Sequence, residues 1–152
     1  MVTAPSPTPL SDSNLGALLC QVRNELIGRL ERELAAHGYE MNFSQYLALK
    51  KLAAHGPMSA GELARTINLD AGATTRLLDR LEAKGYLRRQ PHEQDRRALR
   101  IALTEAGQAL WSDIHACGER ALAEATRGLA PDEHVRLHAM LSGILATLRG
   151  GN

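Results

Sequence analysis

Two helix start signals stand close together in the middle of the chain. Ser59 and Glu62 have the spacing of a capping box, in front of the apolar positions of "SAGELARTI". Only two residues separate this segment from Asp70, which can cap a second helix that runs to Gly85. A short helix, a tight turn and a second helix form the pattern of a helix-turn-helix unit.

The second helix of this pair has one apolar and one polar face. Leucines mark its buried side, one turn after Thr74. The outward positions carry hydroxyl and charged side chains: Thr75, Arg76, Asp79 and Arg80. The exposed first turns of the second helix are the part of such a unit that contacts base edges in the major groove of DNA.

The segment that follows, "YLRRQPHEQDRRALRIAL", predicts a β-hairpin. Its two ends alternate between apolar and polar residues, and the middle is charged and turn-like. The apolar row is expected to face inward and consists of Leu87, Leu99, Ile101 and Leu103. This arrangement leaves Arg88, Arg96, Arg97 and Arg100 to solvent or to a ligand.

Basic residues are concentrated in this central part of the chain. The net charge of the whole sequence is only +1, but residues 59–100 contain nine Lys and Arg against six acids. The rest of the chain contains nine basic and eleven acidic residues. A local excess of positive charge on one surface is suited to a polyanionic partner.

Long amphipathic helices flank the centre. Leucines at helical spacing run from Ser13 to about Ala36, and Pro131 begins a last helix with a similar apolar stripe. Between them, Asn42 with Gln45 predicts a second capping box, and Thr104 can cap a helix that continues to about Gly128. The terminal helices are longer than so small a centre can cover, which favours packing against another subunit.

Composition excludes several other classes. The 152 residues include only five aromatic side chains, which disfavours an all-β fold, and Cys20 and Cys117 lack disulfide or metal spacing. Residues 1–11 are expected to be a flexible tail, because they have neither the features of a signal peptide nor those of a membrane span. The chain is therefore expected to be cytoplasmic, with no membrane partner.

Together these motifs resemble the MarR-type winged helix-turn-helix transcription regulators. The segment "DRRALRIALTEAG" is similar to the family's wing signature, and "LDAGATTRLLDRLEAKGYLRR" to its recognition helix and first wing strand. The resemblance implies a mainly α fold of six helices with a small β-hairpin wing. It also implies a single domain over residues 12–152, with a DNA-binding lobe at 42–104 and dimerisation helices at 12–37 and 105–149.

The resemblance also implies a function and a set of contacts. The expected partners are a second copy of the chain and a pseudo-palindromic double-stranded DNA operator. Arg97 is expected to enter a minor groove, with Asp95 supporting it. The other residues expected to contact DNA are Thr74, Thr75, Arg76, Arg80, Arg88, Arg96 and Arg100. Arg89 is also expected to meet phosphate. Family members usually repress transcription until a small phenolic or aromatic carboxylate ligand releases them from DNA.

Several alternatives accompany this interpretation. Tyr46, Trp111 and His115 can line an effector pocket or serve only in packing. Cys20 resembles the cysteine of peroxide-sensing family members, although a thiol on a leucine-rich helix is usually an inert core residue. A winged-helix module that binds only proteins is a further possibility.

An enzyme and a metal site are not expected. The sequence contains no nucleophile elbow, no glycine-rich phosphate loop after a strand and no His-Glu-x-x-His motif. His134 and His138 share a helical face but lack an obvious set of further ligands. We therefore predict no catalytic residues, no metal and no cofactor.

Overall fold

The computed structural model describes residues 14–95 and 98–150, and the predicted tail at 1–11 lies outside this range. In chain order its elements are α1 (Leu15–Ala36), α2 (Phe43–His55), α3 (Ala60–Ile67), α4 (Ala71–Ala83), β1 (Leu87–Pro91), β2 (Leu99–Leu103), α5 (Glu105–Ala125) and α6 (Pro131–Gly150). The predicted mainly α fold of six helices and one hairpin is confirmed. None of the helices in the described ranges is long and apolar enough to cross a membrane.

Local capping explains where α2, α3 and α4 begin. Asn42 and Gln45 exchange side-chain-to-backbone hydrogen bonds of 3.1 and 2.9 Å, and Ser59 and Glu62 do the same at 2.9 and 3.1 Å. The Asp70 carboxylate accepts a bond of 2.7 Å from the backbone N–H of residue 73. Each predicted start is confirmed, because each depends on a side chain only three residues from the amide that it satisfies.

The hairpin packs on the helix-turn-helix unit through both of its strands, β1 against α4 and β2 against α3. Its antiparallel register pairs Leu87 with Leu103, and Met58 adds a bridge to Ile101 through bonds of 3.1 and 2.7 Å. Leu87 and Ile101 are buried, as predicted. Leu99 is 51% exposed, so its predicted anchoring role is wrong: it pairs with Pro91 at the end of the hairpin nearest the turn.

One core joins the central helices to α5 and to the second half of α1. The buried apolar residues of α2, α3, α4 and the hairpin are continuous with those of the flanking helices, which include Leu30, Leu34, Leu110, Ile114, Cys117 and Ala121. The loop into α5 is tied to the end of α4, because the Thr104 hydroxyl donates to the carbonyl of Gly85 and accepts from the Gly107 N–H. The start of α5 is therefore linked directly to the end of α4.

The last helix is exposed along its whole length. No residue of α6 is buried, although its apolar stripe includes Leu137, Leu141, Ile144 and Leu145. The first half of α1 is exposed in the same way at Leu15, Leu18, Leu19 and Val22. Apolar stripes of this size are typical of surfaces that a partner covers.

Candidate functional site

The outward face of α4 carries three of the predicted contact residues. Thr75 and Arg76 are exposed near its start and Arg80 in its last turn, and the Thr75 hydroxyl donates 2.9 Å to the carbonyl of residue 71. Thr74 is different. It is only 2% exposed, and its hydroxyl donates to the Asp70 carbonyl at 2.8 Å. The inclusion of Thr74 in the DNA-contacting set is therefore corrected: its side chain belongs to the core, where it fastens the first turn of α4.

Arg89 is turned toward α4. Its guanidinium donates to Glu82 at 2.9 Å and to Asp79 at 2.8 Å, and its backbone N–H donates to Glu82 at 3.1 Å. The hydrogen bond to Asp79, with the charge of Glu82, raises the pKa of Arg89 above its ordinary value. The structure therefore pairs Arg89 with two carboxylates of α4, and its contact with phosphate stays a prediction.

The remaining described wing arginines lie on the other face of the hairpin. Arg88 is exposed, and its Nε donates to Gln90 at 3.2 Å. Arg100 is half-buried and donates from Nη2 to the Pro57 carbonyl at 2.9 Å, so one of its donors already has a partner within the chain. Both side chains keep further N–H groups that can reach an anion.

Backbone hydrogen bonds join described residues on the two sides of the wing tip. The His92 N–H donates 2.8 Å to the Ala98 carbonyl, and the Ala98 N–H donates 3.0 Å to the Asp95 carbonyl. The His92 ring also accepts from the Gln94 N–H at 3.0 Å. Arg96 and Arg97, which the sequence predicts to contact DNA, lie outside the described residues, between Asp95 and Ala98 in the chain.

A cavity of about 500 Å³ lies between α1, α2 and α5, and it brings together all three residues predicted for an effector pocket. The Tyr46 and Trp111 rings are 5.4 Å apart between centroids, and Trp111 and His115 are 6.0 Å apart. Burial raises the pKa of the Tyr46 phenol above its ordinary value. Lys50 and Arg23 also line the cavity; no sequence motif marks either residue, because only the fold brings α1 against α2.

The tyrosine fits this wall because α5 has a glycine opposite it. A Cβ atom at residue 118 would lie 2.0 Å from the Tyr46 hydroxyl oxygen, so Gly118 gives the ring its place. The wing and α5 enclose a second, more polar groove of about 460 Å³, and Trp111 lines both spaces. This tryptophan therefore stands between the aromatic cavity and the wing.

The two cysteines occupy different environments. Cys20 is exposed on α1, contrary to the expectation of a core thiol, and in residues 14–95 and 98–150 it has no hydrogen-bond or charged partner. Cys117 is buried, and burial raises the pKa of its thiol, although Arg120 donates to it at 3.4 Å. Peroxide sensing by Cys20 stays a prediction without support from neighbouring side chains. Across the same described ranges, no three His, Cys, Asp or Glu residues are grouped to hold a metal.

A helix-turn-helix unit with an exposed basic second helix and an adjoining two-stranded wing defines a winged-helix, DNA-binding regulator. A model of the MarR family matches residues 41–99. The multiple antibiotic resistance protein MarR of Salmonella typhimurium is 31% identical over 132 residues, which cover 86% of this chain and 90% of that protein. The chain therefore belongs to the MarR family of transcriptional regulators.

Solved structures agree with this membership. A mutant of MarR from Escherichia coli, solved in complex with operator DNA, is 28% identical with a TM-score of 0.78, covering 91% of this chain and 99% of that one. BpsR of Bordetella bronchiseptica, at 22% identity, shares the fold with a TM-score of 0.77 and covers 91% of this chain and 97% of that one. The protein is thus a DNA-binding transcriptional regulator and not an enzyme, and the protein-only interaction module is disfavoured.

Proposed function

We propose that the protein is a cytoplasmic, dimeric repressor that leaves its operator when a small phenolic or aromatic carboxylate binds between α1, α2 and α5. The observation that carries this proposal is the cavity beside Tyr46 and Trp111. Tyr46 and Trp111 lie in its largely apolar wall, and Lys50 and Arg23 supply two positive charges beside the single carboxylate of Glu119. An aromatic acid can match both features, because its ring packs on aromatic side chains and its carboxylate pairs with a cation.

The proposed DNA contacts divide by groove. Thr75, Arg76 and Arg80 on α4, the recognition helix, face the major groove, where arginine can donate two bonds to guanine. Arg97, supported by Asp95, enters the minor groove, whose narrow A·T-rich stretches concentrate negative potential. The phosphate contacts, which add affinity without sequence information, come from Arg88, Arg96 and Arg100.

The proposed dimer forms through α1, α5 and α6. Support comes from the apolar stripes of α6 and the first half of α1, which the folded chain leaves exposed. Leu19, Val22 and Leu141 line the aromatic cavity as well, so a partner at these stripes would lie next to an effector. A two-fold dimer presents two recognition helices, which suits half-sites about 10 base pairs apart.

The release mechanism is a population shift. The cavity has α5 as one wall, and Thr104 at the start of α5 is bonded to the end of the recognition helix. An effector that favours one placement of α5 therefore favours one separation of the two recognition helices. A separation that no longer matches successive grooves lowers affinity for the operator. BpsR supplies a precedent of its own, since 6-hydroxynicotinic acid regulates its DNA binding.

The proposal is tested by selecting bound duplexes from a random library and then titrating the complex with 2-hydroxybenzoate and 6-hydroxynicotinate. We expect saturating ligand to weaken binding to the selected duplex about fivefold or more, which is the usual range of coupling between two sites. Neutral 2-hydroxybenzamide is the control and should act much more weakly, because it lacks the carboxylate. Unchanged operator affinity at saturation of both acids would contradict the effector part of the proposal.

A further inference from the structure

Asp79, Glu82 and Arg89 form a cluster that joins the recognition helix to the wing. The Glu82 carboxylate accepts from both the backbone N–H and the guanidinium of Arg89, at 3.1 and 2.9 Å. Asp79, one turn earlier on α4, accepts from the second terminal nitrogen at 2.8 Å. Three bonds therefore link the outward side of α4 to the first strand of the hairpin. We call this group the acid–arginine clamp.

The exposure and net charge of the clamp favour a role in holding the wing over a role in binding an anion. The Arg89 side chain is 25% exposed, while Asp79 and Glu82 are 61% and 41% exposed and cover it. Two carboxylates against one guanidinium leave the cluster with net negative charge. The two carboxylates beside the guanidinium disfavour the approach of a phosphate to Arg89.

Its position gives the clamp control over the angle of the wing. Arg89 pairs in register with Ile101, the buried residue that also bridges to Met58. On the opposite face of the hairpin, Arg100 is bonded to Pro57. The strands of the wing are thus held to α4 on one face and to the turn before α3 on the other. Bidentate contacts to carboxylates are directional, so this fixation constrains orientation as well as distance.

We infer that Arg89 is a positioning residue for DNA binding: with Asp79 and Glu82 it sets the wing at a fixed distance from the recognition helix and does not itself contact DNA. This inference rests on the proposed function, because it needs both α4 and the wing tip to touch the duplex. Major and minor grooves have a set spacing on B-DNA. A wing that pivots freely on α4 engages its groove less often, and specific affinity falls.

The direction in which one substitution changes DNA affinity distinguishes a positioning role of Arg89 from a direct contact with DNA. Glu82→Gln removes a negative charge beside the DNA surface. If Arg89 bound phosphate, the substitution would free it and tighten binding. The clamp predicts the opposite: binding to a duplex selected by the wild-type protein weakens roughly tenfold, within the coupling range of residues in one network. Affinity for an unrelated duplex stays equal or rises slightly. Tighter or unchanged binding of the selected duplex overturns the inference.

Two further variants sharpen this test. Arg89→Lys keeps the positive charge but cannot reproduce two parallel bonds to separate carboxylates, so it should weaken binding much as Glu82→Gln does. Near-wild-type binding by Arg89→Lys would instead indicate a phosphate contact and contradict positioning. The matched control is Glu93→Gln, an exposed wing acid outside the clamp, which should bind as well as the wild type or slightly better. Thermal unfolding and dimer mass are measured for every variant to confirm that it folds.

Arg97→Ala in the same assay keeps this inference distinct from the proposed function. If Arg97→Ala binds the selected duplex like the wild type, the wing contact itself is wrong and the clamp inference falls with it. If Arg97→Ala binds weakly while Glu82→Gln binds normally, only the clamp inference fails. If the wing contact and the clamp inference are both correct, the double variant Arg97→Ala/Glu82→Gln should bind the selected duplex less than about twofold more weakly than Arg97→Ala alone. A wing that no longer binds DNA gains nothing from being positioned.

Discussion

Gly107 lies directly against the backbone of Tyr86. A Cβ atom at residue 107 would be 1.9 Å from the Tyr86 carbonyl oxygen, which is closer than any two such atoms can approach. The same carbonyl accepts from the Thr104 N–H at 3.1 Å. The glycine of the "LTEAG" segment is therefore needed so that the first turn of α5 can pack on the chain between α4 and the wing.

Gly107→Ala should accordingly destabilise the protein. The obstacle is backbone and cannot rotate away, so we expect a loss near the upper end of the overpacking range of about 1–3 kcal/mol. Thermal or urea unfolding measures it. Gly128→Ala is the matched control, because a Cβ there meets nothing within 4 Å, and it should change stability by less than about 0.5 kcal/mol. Equal stability of the two variants would refute the packing role of Gly107.

Arg97→Ala should lower affinity for the selected duplex strongly while leaving thermal unfolding and dimerisation near wild type. A minor-groove arginine contributes to discrimination, whereas Arg96→Ala, the adjacent control, should lose only a phosphate contact. That control should weaken all duplexes evenly and reduce the salt slope by about one unit. Competition binding at several salt concentrations measures both quantities. A large loss of folding in Arg97→Ala would show that the arginine is structural.

Ligand binding in the cavity can be followed through Trp111, the single tryptophan of the chain. We expect 2-hydroxybenzoate and 6-hydroxynicotinate to change its fluorescence, with weaker binding in Lys50→Gln, since Lys50 lines the cavity. Loss of one charged partner predicts roughly a tenfold higher Kd. Lys51→Gln, which removes the same charge outside the cavity lining, serves as control and should bind like the wild type. Identical titrations for both lysine variants would place the carboxylate elsewhere.

The pairing of Glu33 with Arg120 should make stability fall in acid. Arg120 donates from Nε to Glu33 at 2.6 Å, and this hydrogen bond lowers the pKa of the Glu33 carboxyl below its ordinary value. A lowered folded-state pKa gives stability that is present above the unfolded pKa and is lost as pH falls through the folded one. Glu33→Gln should therefore be less stable than wild type near pH 7, with the difference shrinking toward about pH 3. Urea unfolding at both pH values provides the test; a constant difference would contradict this account.

Ile144→Lys should separate the dimer. The residue lies within the exposed apolar stripe of α6, and a lysine inside a desolvated interface costs far more than on a free surface. We expect sedimentation to show monomers at micromolar concentration, together with weak DNA binding. Ala146→Lys, on the opposite side of the helix, is the control and should remain dimeric. A dimeric Ile144→Lys would locate the interface on another surface.

The sequence predicted the elements that depend on neighbours in the chain. Asn42 with Gln45, and Ser59 with Glu62, fix helix starts through contacts three residues apart, so local reading was sufficient. The leucine rows of α1 and α6 likewise showed apolar stripes too extensive for one chain to cover. The same local logic identified Thr104 as a cap, although not its second bond to Gly85.

Contacts between elements that are distant in the chain could not be predicted from the sequence. Arg89 seemed equivalent to Arg88 as a free cation, and only the packing of β1 on α4 gives it two carboxylate partners. Thr74 shares a helical face with the buried leucines of α4, so the spacing indicated its burial, and only its polar side chain suggested a DNA contact. Lys50 lines the cavity only because α1 packs against α2. Strand register and helix packing decide which distant residues meet, and residue type alone determines neither.

The most direct test of the account is the sequence and stoichiometry of DNA that the protein selects from random duplexes. A dimer with one recognition helix in each chain predicts a two-fold symmetric motif with half-sites about 10 base pairs apart, bound by two chains, with log affinity falling linearly with log salt. Arg76→Ala should lose discrimination at a major-groove position within each half-site. Recovery of no common motif, or of an asymmetric motif bound by one chain, would contradict it.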